Sequence, residues 1–500
     1  MNVPYYLEMY SRKFPNKTFL KTENNSYTYR EMNRAADRLA YQLEQLGIKQ
    51  NDKVIMQLPN SFEFIVTYFA VLKTGAIIVP INTKLTLNEV KFIEQHAEAK
   101  AFVVEGGREE EFATIQCDVK LTSGHTTDSW ISLYDLLNSE ATKQYESTVS
   151  ETDLSTMLYT SGTTGRPKAV VFTNRNVIAV AKMICIEMKM DENSISLLMM
   201  PLSHSAPLHL FFLSALVVGA QIVTRKEFHP LTLLQTVEAE RTTHFFGAPV
   251  AYLLAAKILE QQSFDLSSME WWVYGGAPMG ANEVKYVEKM FNTDGLTCVY
   301  GLTEAGPSGS LLFAKEHKTK AGSVGRRASL FTEIKIVNEL GEEVAPNEVG
   351  EIVIRGLGVM KEYYRNEEET KRAFINGWLR TGDLGTRDEE GYIWIVDRVK
   401  DVIISGGVNI YPSEVEQELL QYTGIKDVAV VGIPHKEWGE TVKAFYVSDE
   451  IIDEEEVKEF LSARLASHKI PKIYEKIDSI PRNATGKILK HVIKDGVEQR

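Results

Sequence analysis

Five hundred residues exceed what one compact core usually holds, so two or more domains are expected. A composition of 44% hydrophobic and 25% charged residues is that of a folded globular protein and excludes long disorder. The net charge of -13 disfavours non-specific nucleic-acid binding, so no nucleic-acid partner is expected.

The first third of the chain alternates helix and strand. Glu31–Leu46 carries apolar residues at Met32, Ala35, Leu39, Leu43 and Leu46, a helical spacing, and Gly47 stands where a C-terminal cap belongs. Lys53–Leu58 (KVIMQL) predicts a strand. Asn60 is placed to cap a helix running to about Thr74, which Gly75 ends, and Ala76–Ile81 (AIIVPI) predicts a second buried strand. This rhythm predicts an α/β fold with mostly parallel sheets covered by helices, and it returns from Val170 to Val273. The longest apolar run, Leu210–Val223, is too short to span a bilayer and reads as core, so no transmembrane segment is expected.

From Gly322 to Val396 the short strands Glu333–Val337, Gly350–Gly356 and Gly391–Val396 alternate with turns such as Asn376-Gly377, which predicts a small antiparallel or barrel-like subdomain. A tail of about one hundred residues follows DRVKD (Asp397–Asp401). Strands near Val428–Val431 and Ala444–Val447 and a helix near Glu454–Ser467 predict a small α+β domain. The expected division is therefore 1–398 and 399–500. Cys117, Cys185 and Cys298 are too few and too scattered for a disulfide framework or a zinc site, and MNVPYYLEMYSRKFP lacks a signal-peptide core; a reducing cytoplasm fits both, so a cytoplasmic protein is expected.

One loop carries chemistry. Thr160–Gly165 is six consecutive Ser, Thr or Gly residues, followed by Arg166, Pro167 and Lys168, and it lies between the apolar segments Met157–Tyr159 and Ala169–Phe172. Glycines admit close backbone approach, hydroxyls add donors and the lysine adds charge, so the inferred ligand is phosphate. The spacing is not that of a Walker A loop, because two residues rather than four separate Gly162 from Gly165.

Other segments follow in order: PLSHSAP (Pro201–Pro207), THFFGAP (Thr243–Pro249), YGGAP (Tyr274–Pro278), YGLTEAGP (Tyr300–Pro307), GWLRTGDLG (Gly377–Gly385), DRVKDVIISGGVNIYPSEVE (Asp397–Glu416) and PRNATGK (Pro481–Lys487). Together with YTSGTTGRPK they resemble, across essentially the whole chain, the adenylate-forming superfamily of acyl- and aryl-CoA ligases, luciferases and adenylation domains. The resemblance implies that a carboxylic acid attacks the α-phosphate of ATP, giving acyl-AMP and pyrophosphate, and that the thiol of CoA then takes the acyl group. It implies ATP, Mg2+ and CoA as cofactors, a mobile C-terminal domain, and room for a homodimer.

The resemblance also implies residue roles. Thr160, Ser161, Gly162, Thr163, Thr164, Gly165 and Lys168 would hold the outer phosphates. Glu304 would ligate Mg2+, with Thr303 on the α-phosphate. Adenine would lie between Tyr300-Gly301 and the backbone of Gly275, Gly276, Ala277 and Pro278. Asp383 would accept the ribose hydroxyls beside Arg398. Lys487 would bridge the attacking carboxylate and the α-phosphate, stabilising charge. Lys400 would be the hinge. Ser405, Gly406, Gly407 and Trp438 would line the CoA path, with Trp438 on the pantetheine arm or on the opposite domain. His204 would gate the acyl pocket, expected to be lined by Phe246, Tyr274, Leu302 and Ala305.

The chain departs from the pattern at Ala169, where Gly is common, at Arg327, where Pro is common, and at Tyr274, where a small residue is common. A bulky Tyr274 predicts a shortened acyl channel, so a short- to medium-chain fatty acid or an aromatic acid is expected. The alternatives are loading of a carrier-protein phosphopantetheine or luciferase-type oxygenation, and a non-catalytic nucleotide-binding protein. Intact Lys487, Glu304 and Asp383 speak against the non-catalytic reading.

Overall fold

The structure is a computed structural model that describes residues 1–140, 145, 149–160, 167–482, 488–490 and 492–494. It divides into two compact units. The first comprises 1–322, 327–334 and 354–379, and the second 323–326, 335–353 and 380–500.

The first unit holds two sheets. In the nine-stranded sheet, the strands Thr18–Lys21, Gln221–Thr224, Ile195–Leu198, His244–Gly247, Trp271–Gly275 and Leu296–Tyr300 run parallel side by side. Antiparallel strands close both edges: Ser26–Thr28 on one, Ser310–Leu312 and Arg327–Ala328 on the other. In the eight-stranded sheet the order is Glu362–Tyr363, Lys168–Thr173, Leu154–Thr160, Ile77–Pro80, Lys53–Gln57, Ala99–Val104, Val119–Thr122 and Ile131–Ser132, and only the first two join antiparallel. Its strands read as continuous apolar runs because both faces are covered, and Ile55, Val79, Phe102 and Val171 lie in one buried cluster.

The expected helix at Glu31 begins earlier, as Tyr29–Gln45. Thr28 and Glu31 satisfy each other's backbone N–H groups there as a capping box, and Gly47 follows at φ +89°. Asn60 does not cap the next helix. Ser61 does, accepting from the Phe64 N–H at 3.1 Å, and the helix runs Phe62–Lys73. The Asn60 side chain instead donates to the Met200 carbonyl at 3.0 Å and accepts from the Leu202 N–H at 2.9 Å, fixing the start of the PLSHSAP segment. The apolar run at Leu210 is core: a π-helical turn, Ala206–Phe212, passes into the helix Leu213–Val218 and the strand Gln221–Thr224. Among the described residues no helix is long and apolar enough to cross a membrane.

In the second unit, Ile393–Arg398 pairs antiparallel with residues 383–387. The C-terminal sheet is built on one long hairpin, Asp427–His435 with Gly439–Val447, and the helices Pro412–Leu419 and Glu454–Ser462 cover one face through Val415, Leu419, Val457 and Leu461. Ile480 and Ile493 cover the other face over Val431 and Phe445.

Candidate active site

Parallel strands place all their carboxyl ends on one edge, and open α/β sheets bind ligands beyond that edge. In the nine-stranded sheet, Ile195–Leu198 leads to His204, His244–Gly247 to Ala248-Pro249, Trp271–Gly275 to Gly276–Pro278, and Leu296–Tyr300 to Gly301–Gly306. Topology therefore brings four of the sequence motifs to the same edge. Gly276, Ala277 and Pro278 are exposed there, and Gly276 adopts φ +84°. Gly301 has no room for a side chain, because a Cβ would stand 2.4 Å from the Pro307 carbonyl oxygen.

Glu304 sits in a single helical turn, Thr303–Ala305, where its carbonyl accepts from the Met360 N–H at 2.8 Å. Its carboxylate Oε1 accepts the Tyr363 hydroxyl at 2.9 Å. Burial, and then the Glu304 charge, push the Tyr363 phenol well above its ordinary value, so it stays a donor. No other hydrogen bond reaches this carboxylate among the described residues. A single carboxylate with an open oxygen suits Mg2+, which takes one or two carboxylates plus phosphate oxygens. The Thr303 and Ser205 hydroxyls lie 3.1 Å apart.

His204 is held by Asn82. The Asn82 side-chain oxygen accepts from the Lys84 N–H at 2.9 Å, so its NH2 faces His204 Nε2 at 3.3 Å. An amide NH2 only donates, so Nε2 accepts and Nδ1 carries the proton of the neutral ring. Burial holds the His204 pKa below its ordinary value, consistent with that neutral form.

The phosphate-loop motif joins two adjacent antiparallel strands, with Thr160 paired to Lys168 at the mouth of the hairpin. Ser161, Gly162, Thr163, Thr164 and Gly165 lie outside the described residues. The Lys168 ammonium is ion-paired with Glu369 and stands 5.2 Å from the centre of the Tyr363 ring. Ala169 is buried, and its side chain joins the core cluster. Arg327 forks onto the Glu187 carboxylate at 3.0 and 2.5 Å, a role that Pro could not fill.

The expected acyl pocket needs correction at Tyr274. Phe246 pairs in parallel register with Val273, and Gly247 with Tyr274. Paired residues share a face and neighbours along a strand alternate, so Phe246 and Tyr274 project from opposite faces of the sheet. Tyr274 is fully buried, its hydroxyl 3.0 Å from His317 Nε2. Phe246 stacks on Phe211 with centroids 5.4 Å apart, and a Cβ at Gly275 would lie 3.2 Å from its ring. Tyr274 thus does not narrow a channel on the Phe246 face. Leu302 is half-buried and Ala305 fully buried.

In the second unit, Asp383 and Arg398 are cross-strand neighbours, and Arg398 Nη1 donates to Asp383 Oδ1 at 2.8 Å. Lys400 is exposed in the turn Val399–Asp401. Gly406 and Gly407 adopt φ +59° and +79°, and a Cβ at Gly406 would meet the Trp438 ring at 2.7 Å. Trp438 itself is 57% exposed at the tip of the long hairpin. Lys487 lies outside the described residues. Upstream of it, Arg482 pairs with Ile488 and donates to both Asp427 carboxylate oxygens at 2.8 and 2.9 Å.

Sequence reasoning passed over Asn82, Ser205, Tyr363 and Glu369. Ser205 stands inside PLSHSAP, next to His204, so its motif was the signal for it; the other three occur in segments that look like ordinary loop and surface, and only the strand pairing of Glu362–Tyr363 against Val170–Val171 brings Tyr363 to the Glu304 carboxylate.

A family model described as AMP-binding enzyme matches residues 7–364, and one described as AMP-binding enzyme C-terminal domain matches 414–487. A long-chain-fatty-acid–CoA ligase of Mycobacterium tuberculosis is 35% identical over 94% of this chain and 92% of its own length. A feruloyl-CoA synthase of an Amycolatopsis species is 35% identical over 97% and 96%. The solved structure of o-succinylbenzoate coenzyme A synthetase from Bacillus subtilis, in complex with ATP and magnesium ion, superposes with a TM-score of 0.86 at 28% identity, covering 98% of this chain and 99% of that one.

Proposed function

The chain belongs to the AMP-binding enzyme family, and from that premise we propose that its substrate is an apolar monocarboxylic acid, aromatic or fatty. It is an AMP-forming acyl-CoA synthetase that uses ATP, Mg2+ and CoA: acyl-AMP forms first, and its acyl group then passes to the CoA thiol. The observation that carries the substrate class is the Phe246–Phe211 stack beside the bare backbone of Gly275, a flat apolar wall. With Tyr274 on the opposite face, no upper limit on chain length follows from it.

The first step gathers two anions around one phosphorus, so positioned positive charge is what the protein must supply. Lys487 stabilises the charge on the attacking carboxylate and the α-phosphate. Thr303 donates to the α-phosphate, with its hydroxyl oriented by Ser205. Lys168 holds the outer phosphates. Glu304 would hold Mg2+, which when bound would offset the negative charge of the phosphates. The Asp383 carboxylate accepts the ribose hydroxyls while Arg398 fixes its orientation. His204, kept neutral by burial and by the Asn82 amide, presents a flat polar edge to the acid without adding charge. Turning about Lys400, the tail brings Lys487 in for adenylation and withdraws it for thioester formation, when Ser405–Gly407 and Trp438 line the thiol path.

A panel of aromatic, fatty and dicarboxylic acids tests this reading, with pyrophosphate release followed with and without CoA. Release with aromatic or fatty acids, together with an acyl-CoA product, is expected. Preference for a dicarboxylate would overturn the substrate class, and release that CoA does not stimulate would point to a carrier-protein thiol.

A further inference from the structure

Lys168 is not waiting free for phosphate. Its ammonium is paired with the Glu369 carboxylate, and the two side chains are only 16% and 24% exposed. Glu369 is itself well anchored. It lies in the short helix Glu367–Arg372, its backbone N–H donates to the Asn366 side chain at 3.1 Å, and its Oε1 accepts from Arg372 Nη1 at 3.2 Å. The hydrogen bond from Lys168 holds the Glu369 carboxyl below its ordinary range, so this group is an anion throughout the working pH range.

We propose that Glu369 is a resident competitor for Lys168, a built-in anion that outer phosphates must displace and that recaptures the lysine when pyrophosphate leaves. This rests on the reading of Lys168 as a contact for the outer phosphates. Two features make the exchange easy to reverse. Lys168 is already desolvated, so its ammonium moves from one oxygen anion to another without being rehydrated in between. Glu369 keeps Arg372, a solvent-exposed cation, as its partner when Lys168 departs, so no carboxylate is stranded. A lysine with no such anion would bind the pyrophosphate product tightly, and turnover would wait on its release. Glu369 therefore weakens binding of ATP and pyrophosphate while leaving AMP, which lacks the outer phosphates, unaffected.

The test is calorimetric binding of inorganic pyrophosphate, MgATP and AMP to the full-length chain. Glu369→Gln should bind pyrophosphate and MgATP about threefold to tenfold more tightly than wild type, with AMP unchanged. Equal or weaker pyrophosphate binding would overturn the proposal. Arg372→Gln gives an independent reading of opposite sign: it removes the alternative partner, so Glu369 holds Lys168 harder and pyrophosphate binds more weakly. Pyrophosphate affinity unchanged in R372Q would count against the exchange. Lys168→Ala separates the premise from the proposal. If K168A leaves pyrophosphate affinity untouched, the phosphate role of Lys168 fails. If K168A weakens it while E369Q matches wild type, only the competition fails.

Discussion

Gly301→Ala is the substitution whose effect follows most directly from coordinates. Gly301 links Tyr300, at the end of its strand, to the turn Thr303–Ala305 that carries Glu304. An added Cβ would stand 2.4 Å from the Pro307 carbonyl oxygen, 2.5 Å from its carbonyl carbon and 3.0 Å from the Ser308 nitrogen. All three are backbone atoms, so no rotamer change relieves the clash. Restoring an ordinary contact requires residues 301 and 307 to part by about 1 Å, a displacement that costs roughly 10²-fold in rate when it misplaces catalytic groups. Overpacking of this kind also costs about 1–3 kcal/mol of stability. Acid-dependent exchange of labelled pyrophosphate into ATP measures the first effect, and a thermal melt measures the second. Gly47→Ala, after the helix Tyr29–Gln45 and outside the candidate site, is the control. Its φ of +89° carries strain of about 1–2 kcal/mol, but a Cβ there has no atom within 4 Å. G301A exchanging as fast as wild type, or no slower than G47A, would refute the geometric argument.

Acid stability should depend on His209. It is fully buried in the π-helical turn with its ring edge-on to Phe172, and burial pushes its pKa from 6.5 down to about 3. The unfolded chain therefore takes up this proton first. The contribution is fully present above pH 6.5 and is lost as pH falls from there toward 3, so His209→Phe should show a shallower fall of Tm over that window. A variant as acid-sensitive as wild type would remove His209 from the account. Asp383→Asn keeps size and loses the anion. Because hydrogen bonds to charged groups contribute about 1.5–3 kcal/mol, the KM for ATP should rise at least about tenfold with a smaller change in kcat. Initial-rate kinetics with an unchanged KM would exclude the ribose role.

The fold class and most motif positions were legible because they rest on local patterns. Apolar runs punctuated by glycine marked the parallel strands, and the glycines at 47, 75 and 406 to 407 all adopt the positive φ for which glycine is suited. What sequence could not show was facing and pairing. Tyr274 stands next to GGAP in the chain, yet the register of two neighbouring strands puts it on the side away from Phe246. Asn60 has the chemistry of a cap, but Ser61 lies one residue closer to the first helical turn and leaves Asn60 to a contact more than a hundred residues away. Glu369 and Tyr363 belong to a charged, turn-rich stretch, and nothing local distinguishes them from solvated surface. An edge strand two residues long sets Tyr363 beside Glu304, and the short helix Glu367–Arg372 that follows it carries Glu369 to Lys168.

The claim on which the mechanism depends is that Lys487 supplies charge stabilisation in the first step and little of the ATP affinity. Lys487→Ala, assayed for acid-dependent pyrophosphate exchange alongside the Kd for MgATP, tests it most directly. The account predicts an exchange rate lower by about 10²–10³-fold or more, with ATP binding close to wild type. Exchange at the wild-type rate, or a loss of ATP binding as large as the loss of exchange, would contradict it.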